Sequence, residues 1–195
     1  MLGAQSVARG RPRNPNVRRD RSGKSRGEPD HVVKAWALFY RGRDLERDGI
    51  SPKLADDALA GHSLGRLLLR HQTNPQDPGS ISREQFDAGT KWAEIIHRHA
   101  SIMGYSLGSP KAPSFVMVSG GLSCAQEPTD EQIGRIRDQY RVCYDALAEA
   151  SKSHGSNVQY ATYAVCVQDR PLSALTTADY GALRIGLNVL ARALR

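Results

Sequence analysis

From about residue 30 onward, apolar side chains recur every three or four positions, the spacing of helices with one buried stripe. Asp30 can cap a helix whose apolar positions Val33, Trp36, Ala37 and Tyr40 keep this period, and "RDGISP" (47 to 52) ends it. A second helix is predicted from Leu54 to Arg70 with a weak point at Gly61, followed by the loop "HQTNPQDPGS". Ser82 with Gln85 three residues later is a capping box, so a third helix should start at Arg83. Its stripe is Phe86, Gly89, Ala93, Ile96, Ala100 and Met103, widened by Trp92 and Ile95, and Gly89 offers a place where another helix can approach closely.

Residues 104 to 128 are rich in Gly, Ser and Pro, with one apolar island, "FVMV", that fits a short strand or a strap across the core. Thr129 and Gln132 form a second capping box. Ile133, Ile136, Tyr140, Cys143, Tyr144 and Leu147 give the fourth helix its stripe, ending near Ala150. In "NVQYATYAVCVQD" (157 to 169) the β-branched content favours a strand, whereas an Asn157 cap and the helical surroundings favour a helix, which is the reading adopted. A last helix starts near Thr177, where Tyr180, Leu183, Leu187, Leu190 and Leu194 follow heptad-like spacing and suit either an internal core or a partner helix.

The predicted fold is therefore mostly α: a single helical domain of five or six helices over residues 30–195, behind a tail at 1–29. The tail is mostly Gly, Pro, Ser, Asn and Arg with almost nothing to bury, a composition that predicts disorder. It also changes the meaning of the net charge of +7. Residues 1 to 27 hold Arg9, Arg11, Arg13, Arg18, Arg19, Arg21, Lys24 and Arg26 against a single acid, Asp20. Removing these from the 27 basic and 20 acidic residues of the chain leaves 19 of each. The whole excess is in the tail, where a flexible run of cations can follow a phosphate backbone without reading bases. In the body, Arg184, Arg192 and Arg195 on the last helix make the next basic surface. The helix at 130 to 150 carries five acids against three arginines and is a poor face for DNA.

Candidate chemistry is sparse. Cys124, Cys143 and Cys166 are an odd number without paired spacing, which fits a reducing cytosol. No apolar run approaches a membrane span or a secretory signal, and the Arg-rich start, with two prolines in "RGRPRNPN", lacks the apolar face of a transit peptide. His97 and His99 point about 200° apart on a helix and cannot share an ion, and no Cys/His pattern surrounds His62, His71 or His154. "VSGGLSC" lacks the G-x-S-x-G elbow of a serine nucleophile, and no phosphate-cradling glycine motif is present. Asp44, Glu46 and Asp48, and Asp56 with Asp57, are expected to lie on solvated surface. No catalytic residue, metal ligand or cofactor is predicted.

Read in order, "LGRLLLR", "ISREQFDAGTKW", "IGRIRDQYRVCYDALAEA", "YAVCVQDR" and "ALRIGLNVLARALR" resemble an uncharacterised bacterial domain family. Its better-known context is the activator protein of gene transfer agents, the phage-like particles of some bacteria. The likeness spans positions 63 to 195 and is carried by Ile81, Ser82, Gln85, Phe86, Ala88 and Gly89, then Arg135, Arg137, Ala146, Leu147 and Cys166. Leu183, Gly186, Leu187, Leu190, Ala191 and Arg192 close it. The resemblance implies a helical domain of phage-related or regulatory proteins that acts on DNA or transcription, with no enzymatic activity.

The expectation is a cytoplasmic, non-enzymatic DNA-binding regulatory protein of phage or prophage type, with RNA as the other nucleic acid to consider. Its partners would be DNA, the transcription machinery or further copies of itself, and not a membrane. The tail cations, with Arg184 and Arg192, would supply the contacts. The alternative is an oligomeric phage assembly or DNA-packaging component resembling a small terminase.

Overall fold

A computed structural model describes residues 30–105, 107, 129–155 and 157–195. Among these all regular secondary structure is helical: α1 (Asp30–Arg47), α2 (Ser63–Thr73), α3 (Arg83–Met103), α4 (Asp130–His154), α5 (Asn157–Cys166) and α6 (Thr177–Ala193), with short 3-10 turns at Pro52–Asp56, Ala58–Gly61 and Leu172–Ala174. The eight tail cations, the island "FVMV" and the run "VSGGLSC" lie outside the described residues. By its contacts the chain divides into Met1–Ala37 and Leu38–Arg195. The described part of the first unit is the opening of α1, in which Val33 and Trp36 are each 53% exposed.

Local chemistry explains the helix ends. At α3, Ser82 Oγ accepts the Gln85 N–H and Gln85 Oε1 accepts the Ser82 N–H at 2.8 Å, closing the capping box. Thr129 and Gln132 do the same for α4. A third box, Thr176 with Asp179, starts α6, and hydrogen bonds from the Thr176 backbone and hydroxyl hold the Asp179 carboxyl below its ordinary range. Gly104 ends α3 in the left-handed conformation, where a Cβ would be strained. The segment read as helix or strand is helical, α5.

The core of the second unit is built on the last helix. α6 packs against α3, α4 and α5, and Leu183, Leu187 and Leu190 are fully buried. Burying each such side chain contributes about 1.5–3 kcal/mol. This settles the heptad-like seam as an internal core rather than a face for a partner helix. Two glycines let the helices close up. A Cβ on Gly89 would meet Leu187 and Leu64 methyls at 2.9 Å and Cys166 Sγ at 3.1 Å, as the close approach expected there requires. Gly186 lies directly against Thr162 of α5, whose hydroxyl is satisfied by Val158 O at 2.8 Å. A smaller cluster of Leu45, Ile50, Ala55, Ala60 and Leu69 sits beneath the 3-10 turns.

Several expectations are corrected. The stripe Val33, Trp36, Ala37 and Tyr40 is exposed, and the inward positions of α1 are Gly42 and Leu45 with Leu38 partly covered. Both faces of α1 carry apolar residues, so periodicity alone could not tell which one is buried. Met103 is also exposed. The helix expected from Leu54 is two 3-10 turns; Asp57 caps the second through Leu59 N–H at 2.8 Å, and α2 begins only after Gly61. Asp48 is not solvated surface: its side chain is 6% exposed and pairs with Arg66 at 2.9 Å, while Arg66 Nε donates to Ala60 O.

Candidate functional site

The body's predicted nucleic-acid residues lie on the outer edge of the α3/α6 pair. Arg184, Asn188 and Arg192 are exposed on α6 at i, i+4 and i+8, one ridge of the helix. Alongside runs the exposed edge of α3, with Arg83, Glu84, Asp87 and Lys91. Three contacts hold these edges together: Gln85 Nε2 donates to Asn188 Oδ1 at 2.9 Å, Lys91 Nζ donates to Leu194 O at 3.2 Å, and the Arg195 guanidinium pairs with Glu84. Arg83 pairs with Asp87 at 3.0 Å. The two acids of this edge are thus both engaged, and Lys91, Arg184 and Arg192 form no ion pair among the described residues. Arg184 is oriented by donating to Pro78 O at 3.2 Å in the loop before α3. That loop is pinned by Arg70, which pairs with Asp77 at 2.7 Å.

The structure therefore brings Arg184 and Arg192 onto one face and adds Lys91 to it. The sequence reading missed Lys91 because its role depends on α3 lying beside α6, a contact between positions 103 residues apart.

A second feature was not anticipated. Between α3, α4 and α5 opens a cleft of about 410 Å³. Trp92 of α3 forms part of its wall and is 3% exposed. Tyr140 stacks on Trp92 with ring centroids 5.8 Å apart at 22°, and Tyr144 continues the row at 5.8 Å and 23°. Behind Tyr140, His99 lies at 4.0 Å and 6°, its Nδ1 within 3.0 Å of the Tyr105 hydroxyl. Tyr160, Tyr163 and Gln159 of α5 complete the lining with Ile96, Tyr105, Leu107 and Leu147, and none of the described side chains that line the cleft is a carboxylate, lysine or arginine. Burial raises the Tyr105 and Tyr140 phenols, and burial lowers His99 with help from Arg137, so all three are neutral at pH 7. The Trp92 indole N–H is buried and has no hydrogen-bond acceptor among the described residues. Such a donor costs about 1–3 kcal/mol of stability.

Other sequence candidates take structural places. His62 caps α2, its Nδ1 accepting the Gly65 N–H at 2.9 Å, and Asp169 Oδ1 accepts the Ser63 N–H at 2.7 Å on the same helix start. His71 Nδ1 lies 3.2 Å from Ser80 Oγ. Burial pushes the Cys143 thiol up to about 11 and the Cys166 thiol up to about 12, so neither is a ready nucleophile. Among the described residues no three His, Cys, Asp or Glu side chains gather to hold a metal ion, and no helix is long and apolar enough to cross a membrane.

No family model, curated protein or solved structure matches the chain.

Proposed function

We propose that the protein is a non-enzymatic, cytoplasmic DNA-binding regulatory protein of phage or prophage type. The observation that carries this reading is the segregation of charge: the excess of +7 lies within residues 1 to 27, while the rest of the chain is balanced. A cationic run of that kind gains affinity for a polyanion by releasing its condensed counterions, with no need for base contacts. The α3/α6 edge adds Lys91, Arg184 and Arg192, cations whose neighbouring acids are already paired. Phosphate contacts of this type position a protein on a duplex, and sequence selection then needs further contacts. The packaging alternative is weaker, because the seam it would offer to a neighbouring subunit is spent inside the fold. Fluorescence anisotropy with a labelled 20-base-pair duplex and an RNA hairpin of equal charge tests the proposal. Saturable duplex binding at low salt is expected, and failure to bind the duplex would end the proposal.

A further inference from the structure

From Leu38 to Arg47, α1 belongs to the second unit, and its two sides carry different chemistry. Leu38 and Leu45 pack on the smaller cluster, and Gly42 is buried on the same side. The opposite side holds Phe39, Tyr40, Arg43 and Arg47, which helical spacing gathers on one face. Phe39 is 55% and Tyr40 58% exposed, and their rings meet edge to face with centroids 5.6 Å apart at 74°. Glu46 borders this face, and Asp44 is shared between Arg47 at 3.8 Å and Arg66 at 3.9 Å. Arg43 is exposed and forms no ion pair among the described residues.

The composition of the face selects its occupant. A partner helix or a lipid surface is met chiefly by aliphatic side chains, and in this part of α1 those are Leu38 and Leu45, which are turned inward. Outside stand flat rings and a planar guanidinium, the side chains on which nucleic-acid bases stack. Bases within a duplex are covered by their neighbours, so only an unpaired strand offers its faces. The tail cations directly precede α1 in the sequence and supply the charge that draws a polyanion. We propose that the outer face of α1, at Phe39, Tyr40 and Arg43, binds single-stranded nucleic acid by stacking unpaired bases on the two rings. This rests on the reading of the chain as a nucleic-acid binder and adds a preference for unpaired strand that phosphate contacts alone do not give.

Anisotropy titrations of the full chain with oligothymidylate and oligouridylate of about 15 bases, beside the labelled duplex, test it. The pair Phe39→Leu and Tyr40→Leu keeps an apolar face and removes the rings. It should weaken single-strand binding about tenfold and leave duplex binding within about twofold, and the strand with the larger loss identifies DNA or RNA as the source. Phe39→Trp keeps a ring, so it should retain the affinity, and single strand should quench its emission beyond that of the unchanged protein. Circular dichroism establishes that the variants are folded, and if the Leu pair is not, the quenching of Phe39→Trp decides. Single-strand binding that survives the Leu pair, an equal loss on the duplex, or no added quenching would overturn the inference. Duplex binding without ring-dependent single-strand binding overturns this inference alone, whereas absence of binding to all three ends it together with the reading beneath it.

Discussion

Gly186 of α6 and Thr162 of α5 are in such close contact that a Cβ added to the glycine would collide with the threonine hydroxyl. Both residues are buried, and the hydroxyl is anchored to Val158 O at 2.8 Å. Gly186→Ala should therefore cost about 1–3 kcal/mol by overpacking. Thr162→Ala removes the oxygen that the new methyl would strike. In a double-mutant cycle measured by urea denaturation, the pair should cost less than the sum of the single changes. Simple additivity would mean that the two helices adjust independently.

The Asp48–Arg66 pair joins the end of α1 to α2 at 2.9 Å, with both side chains largely covered. Removing one partner strands the other charge, so Asp48→Ala should destabilise by about 2–4 kcal/mol. A loss below about 0.5 kcal/mol, as for an exposed pair, would contradict the burial described.

His62 gives the fold a pH dependence of defined sign. Burial lowers its pKa from the ordinary 6.5, opposed by the charge of Asp169 and assisted by Arg66. The folded ring is the neutral one, and its Nδ1 must be unprotonated to accept the Gly65 N–H. Above pH 6.5 its contribution is complete; as pH falls through 6.5 the unfolded chain takes up the proton first and stability declines, levelling below the folded pKa. His97 and His99, also lowered by burial, act in the same direction. Thermal melts from pH 8 to pH 5 should show this decline, and His62→Asn, which retains a capping side chain, should make it shallower.

The two described thiols should be slow to react. With Cys124 changed to Ser, a thiol reagent at pH 8 should modify Cys143 and Cys166 only as fast as the fold opens, and full reaction within seconds in the folded protein would contradict their raised pKa values.

What could be read in the sequence was what depends on neighbours three or four positions away. The boxes at Ser82/Gln85 and Thr129/Gln132 are complete within one helical turn, and the structure contains both. Leu183, Leu187 and Leu190 stand on one stripe whose partner could be inside or outside the molecule; only the packing of α3, α4 and α5 around α6 decides for the inside. The cleft was illegible for the same reason. Tyr140 and Tyr144 read as part of a core stripe, and nothing local says that Trp92 and Tyr163 from other helices meet them around a space. Asp48 looked like surface because Arg66, the partner that covers it, is 18 positions away.

The central claim is that the tail, with the cations on the α3/α6 edge, binds duplex DNA through its phosphates. The most direct measurement is the slope of log K against log salt for the full-length chain, compared with a full-length variant in which the eight tail cations are changed to Gln. If all eight engage, they account for up to about −7 of the slope at roughly −0.9 per phosphate, and the variant should retain only the small share due to Lys91, Arg184 and Arg192. Equal slopes for the two proteins would contradict the claim.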